Sequence, residues 1–155
     1  MSGVLGIDPG TTGYIVSVDS DGIKWFKQNP KDLGGFFKLL RERDEKVAFV
    51  EIQHAMHKQG VVSMFTLGTE YGRILEAVAG LGIRLELVLP KDWQKVMLRG
   101  EPKVAKGKEL KKTYVRVASR LWPTVDFYGP KGGIRDGLAA AALIAEYGRR
   151  RIIGE

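Results

Sequence analysis

Three short apolar runs open the chain, separated by little more than turn formers. Val4-Leu5-Gly6-Ile7 ends at Asp8-Pro9-Gly10-Thr11-Thr12-Gly13, which reads as a turn. Tyr14-Ile15-Val16-Ser17-Val18-Asp19 reads as a strand, and Ser20-Asp21-Gly22 is a hairpin signal before Ile23-Lys24-Trp25-Phe26-Lys27. Strands joined so tightly pair antiparallel, so the chain opens as a three-strand meander. Helices and strands then alternate. Leu33, Phe36, Phe37, Leu39 and Leu40 predict a helix over 31–43, and residues 46–52 are a strand buried on both faces. A connection over 53–60 leads to a long helix over 61–81, stopped by Gly82, and a strand over 83–89. Pro90 opens a short helix to about Leu98, a basic loop spans 99–107, and a helix over 108–121 stops at Trp122-Pro123. A loop over 124–133 precedes an Ala-rich helix over 136–151. The order β-β-β-α-β-α-β-α-α-α implies an α/β fold: one mixed five-stranded sheet, antiparallel hairpin strands then parallel ones, flanked by helices on both faces. Ligand chemistry in such sheets gathers at the carboxyl ends of the strands.

A length of 155 residues, 44% of them hydrophobic, suits a single domain over 1–155. No apolar run approaches a membrane span, and no basic n-region precedes an apolar stretch, so the expectation is a cytoplasmic protein. Cysteine is absent, which excludes disulfides, iron–sulfur clusters and thiolate zinc sites. With two histidines in the sequence, a metal site rests mainly on carboxylates, which favours Mg²⁺ or Mn²⁺. The net charge of +7 is concentrated: residues 91–120 hold ten Lys/Arg against three acids, and the remainder is balanced. Such a block fits a polyanionic partner, and it equally fits a solvated helix face.

Three acids stand where chemistry is expected. Asp8 ends the first strand, Glu51 lies near the end of the fourth, and Asp136 begins the last helix. If strands one and four are neighbours, Asp8 and Glu51 sit side by side, and the last helix can bring Asp136 against both. Clustered carboxylates repel one another unless cations neutralise them, and two metals on such a cluster suit phosphodiester hydrolysis. Each acid also has a plainer reading, as a turn residue, a strand-end acid or a helix N-terminal acid.

Gly6-Ile7-Asp8-Pro9-Gly10, Val50-Glu51, Leu67-Gly68 and Gly72, Pro90-x-x-Trp93-x-Lys95, and a lysine-rich helix before an Ala-rich helix bearing Asp136 resemble the RuvC-type Holliday junction resolvases. The resemblance spans nearly the whole chain. The tail Asp136-Gly137-Leu138-Ala139-Ala140-Ala141-Ala142 looks most like phage-borne members. The resemblance implies an RNase H-like fold and a homodimer that cuts four-way DNA junctions with two Mg²⁺ or Mn²⁺ ions per site. It implies that Asp8, Glu51 and Asp136 bind metal, and that Lys111 or Lys112 contacts phosphate near the cut. Family members usually carry two acids on the last helix, three or four residues apart; here three back is Gly133 and four on is Ala140. Ala140 is then read as the replacement of an acidic ligand, in an inactivated variant or in a natural three-acid site.

The expected DNA-contacting residues are Lys58, Lys95, Arg99, Lys103, Lys106, Lys108, Lys111, Lys112 and Arg116, with His54 as a stacking platform for junction bases. His54 and His57 as a metal pair lack a third soft ligand nearby, and two exposed loop histidines is the simpler reading. Trp93 and Trp122 read as core anchors. Two rivals stand beside the nuclease: a non-catalytic junction-binding module of the same fold, and an ATP-binding domain of the actin or sugar-kinase kind, suggested by the Gly6–Gly13 segment.

Overall fold

A computed structural model describes residues 2–54, 58–104 and 106–154. Its elements follow the expected order: β1 (Val4–Ile7), β2 (Tyr14–Asp19), β3 (Gly22–Gln28), α1 (Gly35–Arg41), β4 (Val47–Glu51), α2 (Val61–Gly80), β5 (Arg84–Val88), α3 (Pro90–Met97), α4 (Lys108–Leu121) and α5 (Asp136–Ile153). They build a five-stranded sheet in the order β3-β2-β1-β4-β5. β1–β2 and β2–β3 pair antiparallel, while β1–β4 and β4–β5 pair parallel, as hairpin and crossover connections require.

Period-two alternation splits the strands between two cores. Leu5, Ile7, Ile15, Ala48 and Val50 face Phe36, Leu40, Ile74 and Val78 of α1 and α2. Val4, Val16, Val18, Phe49 and Val88 face the other way, onto α3, α4 and α5. The first helix is shorter than the pattern over 31–43 predicts. Gly34 adopts a left-handed φ of 78° immediately before it, and the Gly35 amide donates to the Asp32 carbonyl at 3.0 Å. Residues 31–34 therefore form a turn, although Leu33 keeps the helical spacing.

The alanines of α5 let its backbone lie almost on the sheet. A Cβ at Gly6 would run into the Ala141 carbonyl and the Ala145 amide, and one at Gly137 into the Thr12 carbonyl. A Cβ at Gly148 would meet the Phe49 ring. Residues 137, 141, 145 and 148 share one helical face. That face of small residues lets the start of α5 dock on the turn that follows β1.

Candidate active site

Ile7 of β1 stands opposite Val50 of β4, so Asp8 and Glu51 leave neighbouring parallel strands at the same edge of the sheet. The turn carrying Asp8 is tied from several sides. The Asp8 amide donates to the Tyr14 carbonyl at 3.1 Å. The Asn29 side-chain amide, at the far end of the hairpin, donates to the carbonyls of Asp8 at 2.7 Å and Gly10 at 3.2 Å. One Asp8 carboxylate oxygen accepts the Gly10 amide at 3.2 Å.

Glu51 is held by two neutral donors, one on each oxygen. The Trp93 indole N–H donates to Oε2 at 2.7 Å, and the Gln53 amide to Oε1 at 3.3 Å. Asp136 opens α5, where Lys111 Nζ lies 3.7 Å from its Oδ2. Charge links Asp8 to each of the other two acids. Burial raises the Asp8 carboxyl from 3.8 to about 6; the Gly10 amide and Lys111 oppose the rise, and Asp136 adds to it. Burial raises Glu51 from 4.5 to about 7, with the Asp8 charge adding and the two donors opposing. Tyr114 of α4 is also pushed up, by burial and then by the charges of Glu51, Asp8 and Asp136. Burial and like charge thus act together on Asp8 and Glu51 at the ends of β1 and β4, and the same charges reach Tyr114 of α4.

The donor set is carboxylate oxygens with no thiolate, the chemistry that a hard divalent cation takes, and burial makes two of these carboxylates costly to hold charged without one. Among the described residues, no group of three or more His, Asp or Glu is already drawn together closely enough to hold an ion. A basic side chain also stands among the acids, the Lys111 ammonium beside Asp136.

No family model and no curated protein matches the sequence. Solved structures do match. T. thermophilus RuvC in complex with Holliday junction substrate superposes with a TM-score of 0.63 at 15% identity, over 97% of this chain and 96% of that one. A further Thermus thermophilus RuvC structure gives a TM-score of 0.60 at 18% identity, with the same coverage of each chain. The chain has the RuvC fold. That fold is RNase H-like, as the resemblance implied, and here it is a mixed five-stranded sheet between two helical layers.

On this RuvC fold the basic residues fall into groups. Lys111 faces Asp136, whereas Lys112 turns to Glu109 at 3.2 Å, which separates two lysines the sequence left equivalent. Lys95, Arg99 and Lys103 line a groove of about 680 Å³ between α3, the 99–107 loop and α4. Lys106 and Lys108 are exposed beside it. Arg116 donates to Glu101 at 3.1 Å, and Arg120 also binds Glu101, so this part of the basic block is paired. These arginines hold the Glu101 carboxyl below its usual range, chiefly through the Arg120 hydrogen bond. His54 and Lys58 are exposed on the connection before α2. His57 lies outside the described residues, so the His54–His57 pairing does too.

Ala140 is one turn along α5 from Asp136, 6% exposed, within the core cluster. Sequence reading missed Asn29, Gln53 and Tyr114 altogether. It took Trp93 for a core anchor only; Trp93 is fully buried as expected, and its polar edge serves Glu51. The available signal was the Pro90-x-x-Trp93 spacing directly after a strand.

Proposed function

We propose that this chain is a Mg²⁺- or Mn²⁺-dependent endodeoxyribonuclease that resolves four-way DNA junctions as a homodimer, cutting two strands symmetrically. The observation that carries the reading is that Asp8 and Glu51 leave the carboxyl ends of neighbouring parallel strands, with Asp136 at the start of α5 near enough to raise the Asp8 carboxyl. It is supported by the likeness in fold to a RuvC whose structure includes a Holliday junction substrate. Asp8, Glu51 and Asp136 would hold the metal, which when bound supplies activation of water and neutralisation of charge on a scissile phosphate. Lys111, more than half exposed at its side chain beside Asp136, would contact a phosphate oxygen near the cut. Trp93, Gln53 and the Gly10 amide keep the carboxylates oriented without adding charge. Lys95, Arg99, Lys103, Lys106 and Lys108 supply phosphate contacts that position DNA without reading bases.

The dimer is supported by an uncovered apolar surface. Val61, Val62 and Phe65 of α2 are 79%, 80% and 76% exposed, and Leu33 and Phe37 line a groove beside α2 together with Gly68 and Gly72. Surfaces of this kind mark interfaces. A second reading, junction binding without cleavage, is favoured by Ala140, which stands one turn along α5 from Asp136 where an acidic ligand is expected. Incubation of the protein with labelled four-way and linear DNA in Mg²⁺ or Mn²⁺ separates the two. Cleavage of the junction, lost in Asp8→Asn and Glu51→Gln with binding retained, is the expected result; intact strands at every Mn²⁺ concentration would leave only the binding module. Ala140→Asp in the same assay tests whether an acid there adds a ligand, and no gain of activity counts against that role.

A further inference from the structure

Pro90 occupies the first turn of α3, directly after β5, and its fixed φ starts the helix there. Val88 of β5 pairs with Glu51 of β4, so α3 begins beside the carboxylate. Three residues on, Trp93 is fully buried, and long side chains on a helix point back toward its N-terminus. This brings the indole N–H to Glu51 Oε2 at 2.7 Å. The other side of the indole is braced. The Tyr114 ring of α4 lies 5.0 Å away, centroid to centroid, and the Tyr114 hydroxyl accepts the Gln94 side-chain amide at 2.6 Å. Gln94 follows Trp93 on α3, so the brace links α3 to α4.

We propose that Trp93 is a positioning residue for Glu51, which sets the carboxylate's rotation for a divalent cation through a neutral, rigid donor braced by Tyr114 and Gln94. The inference rests on the metal-dependent reading above. An indole N–H is a donor only and carries no charge. It fixes one lone pair of Oε2 and leaves the carboxylate's full negative charge available to a cation. A lysine in its place would orient the group equally well but repel the metal. Gln53, on the other oxygen at 3.3 Å and outside any helix or strand, is the weaker tether.

Trp93→Phe keeps a ring against Tyr114 and removes the donor. Calorimetric titration with Mn²⁺ alone is expected to show about 10-fold weaker binding in Trp93→Phe, the lower end of the effect of losing a partner that orients a ligand. Junction affinity in EDTA should be unchanged, and cleavage should recover at high Mn²⁺. A purely structural role for Trp93 would instead lower junction affinity and leave the Mn²⁺ dependence of cleavage untouched. A second measurement needs no variant to fold well. In ¹⁵N-indole-labelled wild-type protein, Mg²⁺ should shift the Trp93 indole resonance and leave those of Trp25 and Trp122 in place. Unaltered Mn²⁺ affinity in a folded Trp93→Phe, or a Trp93 resonance that does not move while calorimetry registers Mg²⁺ binding, overturns the inference and leaves the nuclease reading intact. If wild-type protein neither binds Mn²⁺ nor cleaves, both fall together.

Discussion

Asp8 and Glu51 are acids that the folded chain prefers to keep protonated. Their pKa values rise from 3.8 to about 6 and from 4.5 to about 7 on folding, first because of burial. Between the unfolded and folded values the native state binds more protons than the unfolded one, so stability falls as pH rises through that window. The stability read by urea unfolding in EDTA is therefore expected to fall by on the order of 1–3 kcal/mol between about pH 4 and about pH 7, after allowance for screening. Mg²⁺ or Mn²⁺ should restore the loss, most strongly at the high-pH end. Asp8→Asn removes the charge and should make the metal-free protein more stable at pH 8 while ending cleavage. A flat pH profile in EDTA would mean that these carboxylates are better solvated than their burial implies. Glu146 of α5 shows the opposite balance. Burial works to raise it, yet hydrogen bonds from Arg149 and Arg150 at 2.8 Å prevail and hold it below its usual range. The run Arg149-Arg150-Arg151 thus serves its own helix, since Arg151 meets the Tyr147 hydroxyl at 3.2 Å.

At the scale of elements, α5 decides whether the site exists. Its approach to β1 depends on the absence of a side chain at Gly6. Gly6→Ala drives a methyl into the α5 backbone, and overpacking of this kind typically costs about 1–3 kcal/mol. The expected outcome is a lowered midpoint in thermal unfolding together with lost cleavage, because Asp136 is displaced from the end of β1. Gly68→Ala on α2 is the control. Nothing lies within 4 Å of a Cβ there, and helix propensity favours Ala by about 1 kcal/mol. A Gly68→Ala chain that is more stable but associates more weakly would place a partner's backbone against that stripe. The element types were legible from apolar periodicity and turn residues. The start of α1 was not, because Leu33 keeps helical spacing through a turn that Gly34 dictates.

For the molecule as a whole, two surfaces carry the consequences. The exposed start of α2 predicts a dimer. Val62→Glu or Phe65→Glu should give a monomer by light scattering, with the circular dichroism of the fold retained. If those variants stay dimeric, the partner sits elsewhere. The groove and loop lined by Lys95, Arg99, Lys103 and Lys106 predict junction binding that weakens steeply with salt. Replacing these four by Gln should flatten the slope of log affinity against log salt by roughly 0.9 for each phosphate that is no longer neutralised. Arg116 and Arg120 should matter less to DNA, since both already meet Glu101.

Part of the candidate site could be read from single residues. An acid at the end of a buried strand is conspicuous, because a lone buried carboxylate is costly, and Asp8 and Glu51 stand out on that ground alone. The succession of strands and helices along the chain and the basic block were equally local properties, whereas the adjacency of β1 and β4 came only with the sheet. The supports of the site were not. That Asn29 holds the Asp8 turn, that Lys111 and not Lys112 meets Asp136, and that the Trp93 edge reaches Glu51 all depend on contacts between residues far apart in the chain. Periodicity records which face a residue presents, while hydrogen bonding depends on what the fold brings to that face. The packing of the β3 end, α3, α4 and α5 around the ends of β1 and β4 made those choices.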